Sequence, residues 1–360
     1  MSITSTPSTH PKVSICLPTC DRPDLLVTCI DSCLTQSYGN LEILIGDDSA
    51  DRRTERLITT RYAREPRVRY MRNQPSLGQA RNVANLFRRA SGDKILLIHD
   101  DDLLTTDGVE KLVSLWTLHP RLEVAFGDQY EADHGGAIDF AASAKLNAAF
   151  RRSKDAEGLQ SLPGRTGLIQ MFPNNGWMAN AELVKRIGYK DTYGVCCDFV
   201  FGTELCLAAR EVFYLHDYVS VYRKTASSIS HSTRGTTAAA TLCAYAYVKA
   251  LKLPAQLEPS RRLALRRLAP IVVSAHAKNR QALAGLKVAF AHLFAYRYGL
   301  NARLYYHLLM LARGALSARQ QAVAAAAVAA VATAPAVGVD PAAVVKELVP
   351  EFASDHSEPV

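Results

Sequence analysis

Short apolar runs alternate with amphipathic stretches along the first 130 residues of the chain. Residues 13–17 and 41–45 are mainly apolar and have the length of buried strands. In residues 24–36 and 78–89, apolar positions instead recur every three or four residues, as on one face of a helix. This alternation predicts an α/β fold in which helices flank a mostly parallel sheet.

The pattern changes beyond the first 130 residues. Residues 133–165 are polar and lack periodicity, so we predict a long irregular loop there. From about residue 236, Ala, Leu and Arg recur at helical spacing, which predicts a helical region. We therefore expect four parts: a disordered N-terminus (1–11), an α/β domain (12–235), a basic helical domain (236–334) and a loosely held tail (335–360).

Polar residues follow three predicted strands. They are Pro18-Thr19-Cys20, Gly46-Asp47-Asp48 and His99-Asp100-Asp101-Asp102. Open α/β sheets bind their ligands at the carboxyl ends of the strands, so these three segments are expected to meet. Three adjacent carboxylates repel one another and resist burial unless a cation or a proton shares their charge. A hard divalent metal with a bound phosphate satisfies that condition.

Charge and cysteine content set limits on partners and location. The net charge of +8 is uneven, because residues 249–319 hold thirteen Lys or Arg and a single acid, Glu258. The basic segment is thus expected to meet an anionic partner, such as an anionic membrane surface. Residues 1–12 lack the apolar core of a signal peptide, and no apolar stretch approaches the length of about 20 residues that a membrane span needs. Eight cysteines are sparse for a chain of this length. We expect reduced thiols in a cytoplasmic protein, either free or peripheral at the inner membrane face.

Five motifs in order resemble the inverting nucleotide-sugar glycosyltransferases of family 2. They are Val13-Ser-Ile-Cys-Leu-Pro-Thr19, Ile45-Gly-Asp-Asp-Ser49, Leu77-Gly-Gln-Ala-Arg-Asn82, Ile98-His-Asp-Asp-Asp102 and Tyr222-Arg223. Together they span roughly residues 12–232. The resemblance implies a GT-A fold, with a Rossmann-like nucleotide half and a mixed-sheet acceptor half enclosing a metal-bound nucleoside diphosphate sugar.

The resemblance also implies roles for the residues that would hold the donor. Asp48 matches the position that accepts a hydrogen bond from the base, although it could instead cap a turn. Pro18 and Thr19 would contact the nucleoside or merely end their strand. Gly78 would permit close approach to the nucleotide, and Arg81 would bring positive charge near the phosphates unless it is only solvated.

The acidic cluster departs from the family pattern. His99-Asp100-Asp101 aligns with Asp-x-Asp, so His replaces the first acid. The resemblance then implies that Asp101 binds Mn²⁺ or Mg²⁺, that Asp100 lies near the ribose, and that Asp102 is a second ligand or an orienting neighbour. His99 is interpreted as a structural residue or as one that supports the metal ligands, rather than as a direct ligand.

An inverting enzyme also needs a general base for the acceptor hydroxyl. The matching element is Cys197-Asp198-Phe-Val-Phe201, so Asp198 is the predicted catalytic base, with Glu204 and Asp191 as fallbacks. The usual acid before this position is Cys197 here. Asp198 could otherwise be an ordinary helix N-cap.

The sequence therefore predicts a metal-dependent inverting glycosyltransferase. It would move a sugar from a UDP or dTDP sugar to a hydroxyl of a glycan, lipid-linked or small-molecule acceptor. Two alternatives stay open: a catalytically inactive nucleotide-binding regulator, and a polyanion-binding protein that uses the basic tail. Nucleic acid is not an expected partner, because no known binding motif is present and the rest of the chain is acidic.

Overall fold

The computed structural model describes residues 10–133, 135–225 and 234–316, with the backbone alone at 234–238, 296 and 298. Apart from residues 10 and 11, the predicted disordered N-terminus lies outside these ranges. The predicted tail at 335–360 also lies outside them.

The described residues form a ten-stranded mixed sheet, in the order β3-β2-β1-β4-β9-β6-β10-β5, with β7 on β6 and β8 on β10. Strands β3, β2, β1 and β4 are parallel, β9 is antiparallel to both β4 and β6, and β10 is parallel to β6. The strands are β1 (Val13–Thr19), β2 (Leu41–Asp47), β3 (Val68–Arg72), β4 (Lys94–Leu97), β5 (Leu103–Leu104), β6 (Val124–Ala132), β7 (Ile138–Asp139), β8 (Gly158–Leu159), β9 (Trp177–Asn180) and β10 (Val212–Arg223).

Helices cover the sheet and make up the C-terminal part of the described chain. They are α1 (Pro23–Leu34), α2 (Arg53–Arg61), α3 (Gln79–Arg89), α4 (Gly108–Leu118), α5 (Phe140–Ala149), α6 (Pro163–Leu168), α7 (Ala181–Ile187), α8 (Cys197–Ala208), α9 (Arg234–Ala250), α10 (Glu258–Lys278), α11 (Ala282–Ala291) and α12 (302–316). The α/β class predicted from the sequence is confirmed.

The two faces of the sheet pack into separate apolar clusters. Successive side chains of a strand point to opposite faces, so Ile15 joins one cluster and Cys16 the other. The same alternation divides Leu96 from Leu97 in β4. Because both faces are buried, these strands are mainly apolar, with Ser14 of β1 and Glu42 of β2 as buried polar exceptions that hydrogen-bond to each other.

Two sequence expectations differ from the structure. The segment 133–165 contains α5 as well as β7 and β8, instead of one irregular loop. Asp139 caps α5 by accepting a hydrogen bond from Ala142 N at 2.8 Å. Cys196 and Cys243 are joined in a disulfide, whereas we expected reduced thiols throughout.

The chain divides into two compact units after Leu268. The first unit contains the sheet together with α9 and the first half of α10. The second has a small core of its own in which Val273, Ala277, Ala289, Leu304 and Leu311 are buried. Within the described residues, no helix combines the length and apolar character required to span a bilayer.

Candidate active site

A cleft of about 700 Å³ opens at the carboxyl ends of β1, β2 and β4. Eight of the nine predicted site residues line it: Pro18, Thr19, Asp48, Gly78, Asp100, Asp101, Asp102 and Asp198. Arg81 does not. Its guanidinium instead pairs with Asp191 at 2.6 Å, and its side chain is 67% exposed.

Asp48 is held rigidly at the tip of β2. Its Oδ1 accepts hydrogen bonds from Asn73 Nδ2 at 2.7 Å and from Leu77 N at 3.1 Å. The residue is buried, and among the described residues no group donates to Oδ2. Asp48 therefore offers the cleft one fixed carboxylate oxygen, which suits recognition of a planar N–H donor.

In the acidic cluster Asp100 and Asp102 are buried and Asp101 is partly buried, and the charge of the cluster is only partly neutralised by protein groups. Arg22 Nη1 lies 3.3 Å from Asp100 Oδ1 and 2.9 Å from Asp101 Oδ2, while Thr19 Oγ1 donates to Asp100 Oδ2 at 2.7 Å. Burial raises the pKa of Asp100. Burial, and then the charge of Asp101, raise the pKa of Asp102 to about 7. These raised pKa values show that the cluster would be stabilised by a further cation.

Asp102 is fixed by its neighbours on β10 and before β9. Its Oδ1 accepts from Arg223 N at 2.9 Å, and its Oδ2 accepts from Asn175 Nδ2 at 2.7 Å. The Arg223 guanidinium reaches around the same turn and donates to the backbone oxygens of Asp101 and Asp100. The conformation of the acidic turn is therefore determined largely by contacts from outside it.

The donor set of the cluster fits a hard divalent cation. Ligand atoms of His99, Asp101 and Asp102 lie within 4.8 Å of one another. Among the described residues, no group donates to Asp101 Oδ1, so this oxygen is available, and carboxylate oxygens are what Mn²⁺ and Mg²⁺ prefer.

His99 is better suited to donate a hydrogen bond than to bind the metal. Asn175 Nδ2 lies 3.1 Å from His99 Nδ1 and also donates to Asp102, so Nδ1 is the acceptor in this contact. The proton of the neutral ring then lies on Nε2. This Nε2 is buried and has no partner among the described residues. It is therefore a donor suited to an anionic oxygen of a ligand.

Asp198 lies in the first turn of α8 and lines the same cleft, although it is about a hundred residues further along the chain than the acidic cluster. Its Oδ1 accepts from Tyr189 OH at 3.0 Å, and Gln79 Nε2 is 3.4 Å from each carboxylate oxygen. The two fallback acids do not line the cleft. Asp191 pairs with Arg81, and Glu204 pairs with Lys190 at 2.5 Å.

Sequence reasoning missed several residues of the cleft. Gln79 lies within the motif Leu77–Asn82 and Arg22 lies three residues after the motif Val13–Thr19, so closeness to a motif was an available signal. Asn175 and Tyr189 lie in segments without a motif, and only the fold brings them to the acids. Trp177 does not reach the cleft, because it is fully buried among aromatic residues of the core.

Comparison with known proteins agrees with this geometry. Residues 14–172 match the model of glycosyl transferase family 2. The chain carries a family 2 glycosyltransferase domain. The matched residues include β1, β2 and the acidic cluster, whereas Asp198 lies beyond them.

Curated relatives match this glycosyltransferase domain over about a hundred residues. A chondroitin synthase of Escherichia coli is 36% identical over 101 residues, which are 28% of this chain and 14% of the relative. The Campylobacter jejuni GalNAc(5)-diNAcBac-PP-undecaprenol beta-1,3-glucosyltransferase is 31% identical over 104 residues, 29% of this chain and 34% of the relative. The chain thus covers about a third or less of these relatives' lengths.

Solved structures show that the fold is GT-A. TarS residues 1–349 from S. aureus, in complex with UDP, align with a TM-score of 0.52 at 14% identity, over 79% of this chain and 89% of that one. The mannosyltransferase PcManGT from Pyrobaculum calidifontis, in complex with GDP-Man and Mn²⁺, aligns with a TM-score of 0.56 at 16% identity. This alignment covers 86% of the present chain and 87% of PcManGT. The GT-A fold and the family inferred from the motifs are confirmed.

Proposed function

We propose that the chain is a metal-dependent inverting glycosyltransferase that uses a UDP or dTDP sugar. One observation carries the proposal: a single cleft brings together the open oxygen of Asp48, the acidic cluster and the carboxylate of Asp198. These are the groups needed for base recognition, diphosphate binding and proton removal. The nucleotide complexes of the structural neighbours support a nucleotide-sugar donor.

Each group has a distinct task in this proposal. Asp48 Oδ2 accepts the base N–H, and Thr19 and Pro18 contact the nucleoside beside it. Asp101 and Asp102 would hold Mn²⁺ or Mg²⁺, and the bound cation would supply positive charge to offset the charge of the diphosphate leaving group. His99 Nε2 donates to a phosphate oxygen. Asp198 removes the proton of the acceptor hydroxyl as that oxygen attacks the sugar.

Asp198 is supported as the base by its contacts. Tyr189 OH and Gln79 hold the carboxylate at the cleft without neutralising it by an ion pair. Asp191 and Glu204 are each paired with a cation and lie outside the cleft. A free carboxylate is the more effective proton acceptor.

The acceptor is proposed to be a glycan or a lipid-linked sugar. The names of the relatives include a chondroitin synthase and an enzyme acting on an undecaprenol-linked oligosaccharide, which supports these classes. The second unit exposes large apolar side chains, including Phe290, Leu300 and Tyr305, beside basic residues such as Arg303. We propose that this surface binds an anionic membrane peripherally.

Titration calorimetry with UDP, dTDP and GDP, each with Mn²⁺, tests the donor. We expect UDP or dTDP to bind, and excess EDTA to weaken the binding at least tenfold. Slow Mn²⁺-dependent hydrolysis of the matching nucleotide sugar would then establish catalysis. Binding without any hydrolysis or transfer would favour the inactive regulator, and absence of nucleotide binding would refute the proposal.

A further inference from the structure

A buried arginine lies on the wall of the cleft, away from the acidic cluster. Arg152 is only 3% exposed and lines the cleft. Its Nε donates to Met171 O at 2.9 Å, and its Nη1 donates to Gln129 Oε1 at 3.1 Å and Asn147 Oδ1 at 3.2 Å. Among the described residues, no atom accepts from Nη2. One end of a rigidly held guanidinium is thus left for a ligand.

No carboxylate neutralises Arg152 within the described part of the chain. Burial lowers the pKa of Arg152 to about 10, against the opposing charge of Asp128, so the side chain stays protonated at neutral pH. Asp128 itself accepts from Tyr214 OH at 2.7 Å and lies 3.0 Å from His216 Nδ1. A buried charge without an ion-pair partner is costly, and such groups are usually paired in the functional state.

A second arginine adds to the positive charge at this place. The guanidinium carbons of Arg267 and Arg152 lie 5.1 and 5.6 Å from the ring centre of Phe150, which also lines the cleft. Arg267 Nη1 donates to Ile169 O at 3.1 Å, and no carboxylate in the described residues pairs with it. Two guanidinium groups therefore lie against one aromatic side chain of the cleft wall.

The part of the cleft wall around Arg152 and Phe150 is separate from the acidic cluster, where the donor diphosphate is proposed to bind. Gln129 accepts from Arg152 and in turn donates to Asn175 O at 3.5 Å, while Asn175 holds Asp102. Two side chains thus separate Arg152 from the acidic cluster. An anion at Arg152 would therefore lie beside the predicted metal and phosphate site instead of within it.

We propose that Arg152 binds an oxyanion carried by a substrate at a subsite separate from the donor diphosphate, and that Arg267, which contacts Phe150 but does not itself line the cleft, adds positive charge to this subsite. The inference rests on the proposed function, since it assigns a charge to the sugar or acceptor. Guanidinium groups bind phosphate and carboxylate through paired, charge-assisted hydrogen bonds. The oxyanion is either a phosphate of the acceptor or a carboxylate on the donor sugar.

Two binding assays distinguish these sources. In the first, protein saturated with UDP and Mn²⁺ is titrated with inorganic phosphate, glucuronate and, as a neutral control, glucose. In the second, the affinities for UDP-glucuronate and UDP-glucose are compared. Phosphate binding beside UDP indicates an acceptor phosphate, whereas a preference for UDP-glucuronate indicates a donor carboxylate.

In the assay that detects anion binding, Arg152→Met should raise the Kd for the anion at least tenfold and change the Kd for UDP by less than about twofold. Arg152→Met removes the donor to three buried oxygens and could lower Tm, so Arg267→Met, which gives up one hydrogen bond, is the second variant. Arg210→Met is the matched control, because Arg210 is 84% exposed and lies near Glu123, whereas Arg267 lies over Phe150 of the cleft wall.

Two results would overturn the subsite. One is that neither assay detects an anion, and the other is that anion binding is unchanged in both folded variants. Failure of the proposed function looks different, because the wild type would then not bind UDP. Phosphate binding that depended on Arg152 in nucleotide-free protein would still support the subsite in that case.

Discussion

Replacing Asp198 by Asn tests the proposed base with little disturbance of the structure. The two side chains are nearly equal in size, and an Asn oxygen can still accept from Tyr189 OH, which now donates to Asp198 Oδ1 at 3.0 Å. The Gln79 contacts at 3.4 Å are long and can be regained if the Gln79 amide turns over. The free energy of unfolding should therefore change by less than about 1 kcal/mol.

The catalytic effect should be much larger. An amide cannot take up the acceptor proton, and general base catalysis contributes roughly 10²–10⁴ in rate. Asp198→Asn should thus lower kcat by that factor, equivalent to roughly 3–5 kcal/mol in the activation free energy. The Kd for UDP with Mn²⁺ should change by less than about twofold, because the carboxylate acts only as the acceptor oxygen reacts.

The assay measures UDP release from the preferred donor together with calorimetric binding of UDP. Asp191→Asn and Glu204→Gln are the controls, since both acids lie outside the cleft. Each should retain turnover within about threefold of the wild type. The reasoning is refuted if Asp198→Asn turns over normally, and the base is reassigned if one of the controls loses activity instead.

Three other predictions follow from the same structure. Asp101→Ala should abolish transfer and weaken Mn²⁺-dependent UDP binding at least tenfold, and normal turnover in excess EDTA would exclude the metal. Burial alone would raise the pKa of Glu42, but hydrogen bonds from Ser14, Ser91 and Lys12 lower it to about 2. Glu42→Gln should therefore cost about 1–3 kcal/mol of stability at pH 7, and urea titrations should show this difference vanish as the pH falls from about 4.5 to about 2. The full chain should float with anionic vesicles at low salt and be released as ionic strength rises, whereas equal recovery with neutral vesicles would refute the electrostatic contact.

The donor half of the cleft could be predicted from the sequence because its residues follow buried strands. Residues 13–17 are mainly apolar and residues 95–98 entirely so, and the polar residues that follow each run mark the edge of the sheet. Parallel pairing of β1 with β2 and β4 then brings Thr19, Asp48 and Asp100 together. Periodicity and strand direction are sufficient for that step.

Other features could not be predicted because their signals are not local. Helix α5 is rich in Ala and lacks a continuous apolar stripe, so its sequence has no helical pattern of apolar residues. Cys196 and Cys243 are 47 residues apart, and only the packing of α9 near the start of α8 pairs them. Arg152 lies three residues after the end of α5, and nothing in the neighbouring residues indicates that its guanidinium is buried at the cleft.

In the acidic cluster, the repulsion among the carboxylates can be relieved by a cationic side chain as well as by a metal ion. Repulsion among three carboxylates predicts a cation, and in the structure Arg22 is one, because its guanidinium reaches both Asp100 and Asp101. Arg22 does not contact Asp102, however, and the pKa of that buried acid stays raised to about 7. The protein's own cation thus neutralises only part of the cluster, so a positive charge at Asp101 and Asp102 is still favourable. A diphosphate would bring enough negative charge to occupy Arg22 and a metal together, and for this reason we expect nucleotide and metal to bind cooperatively.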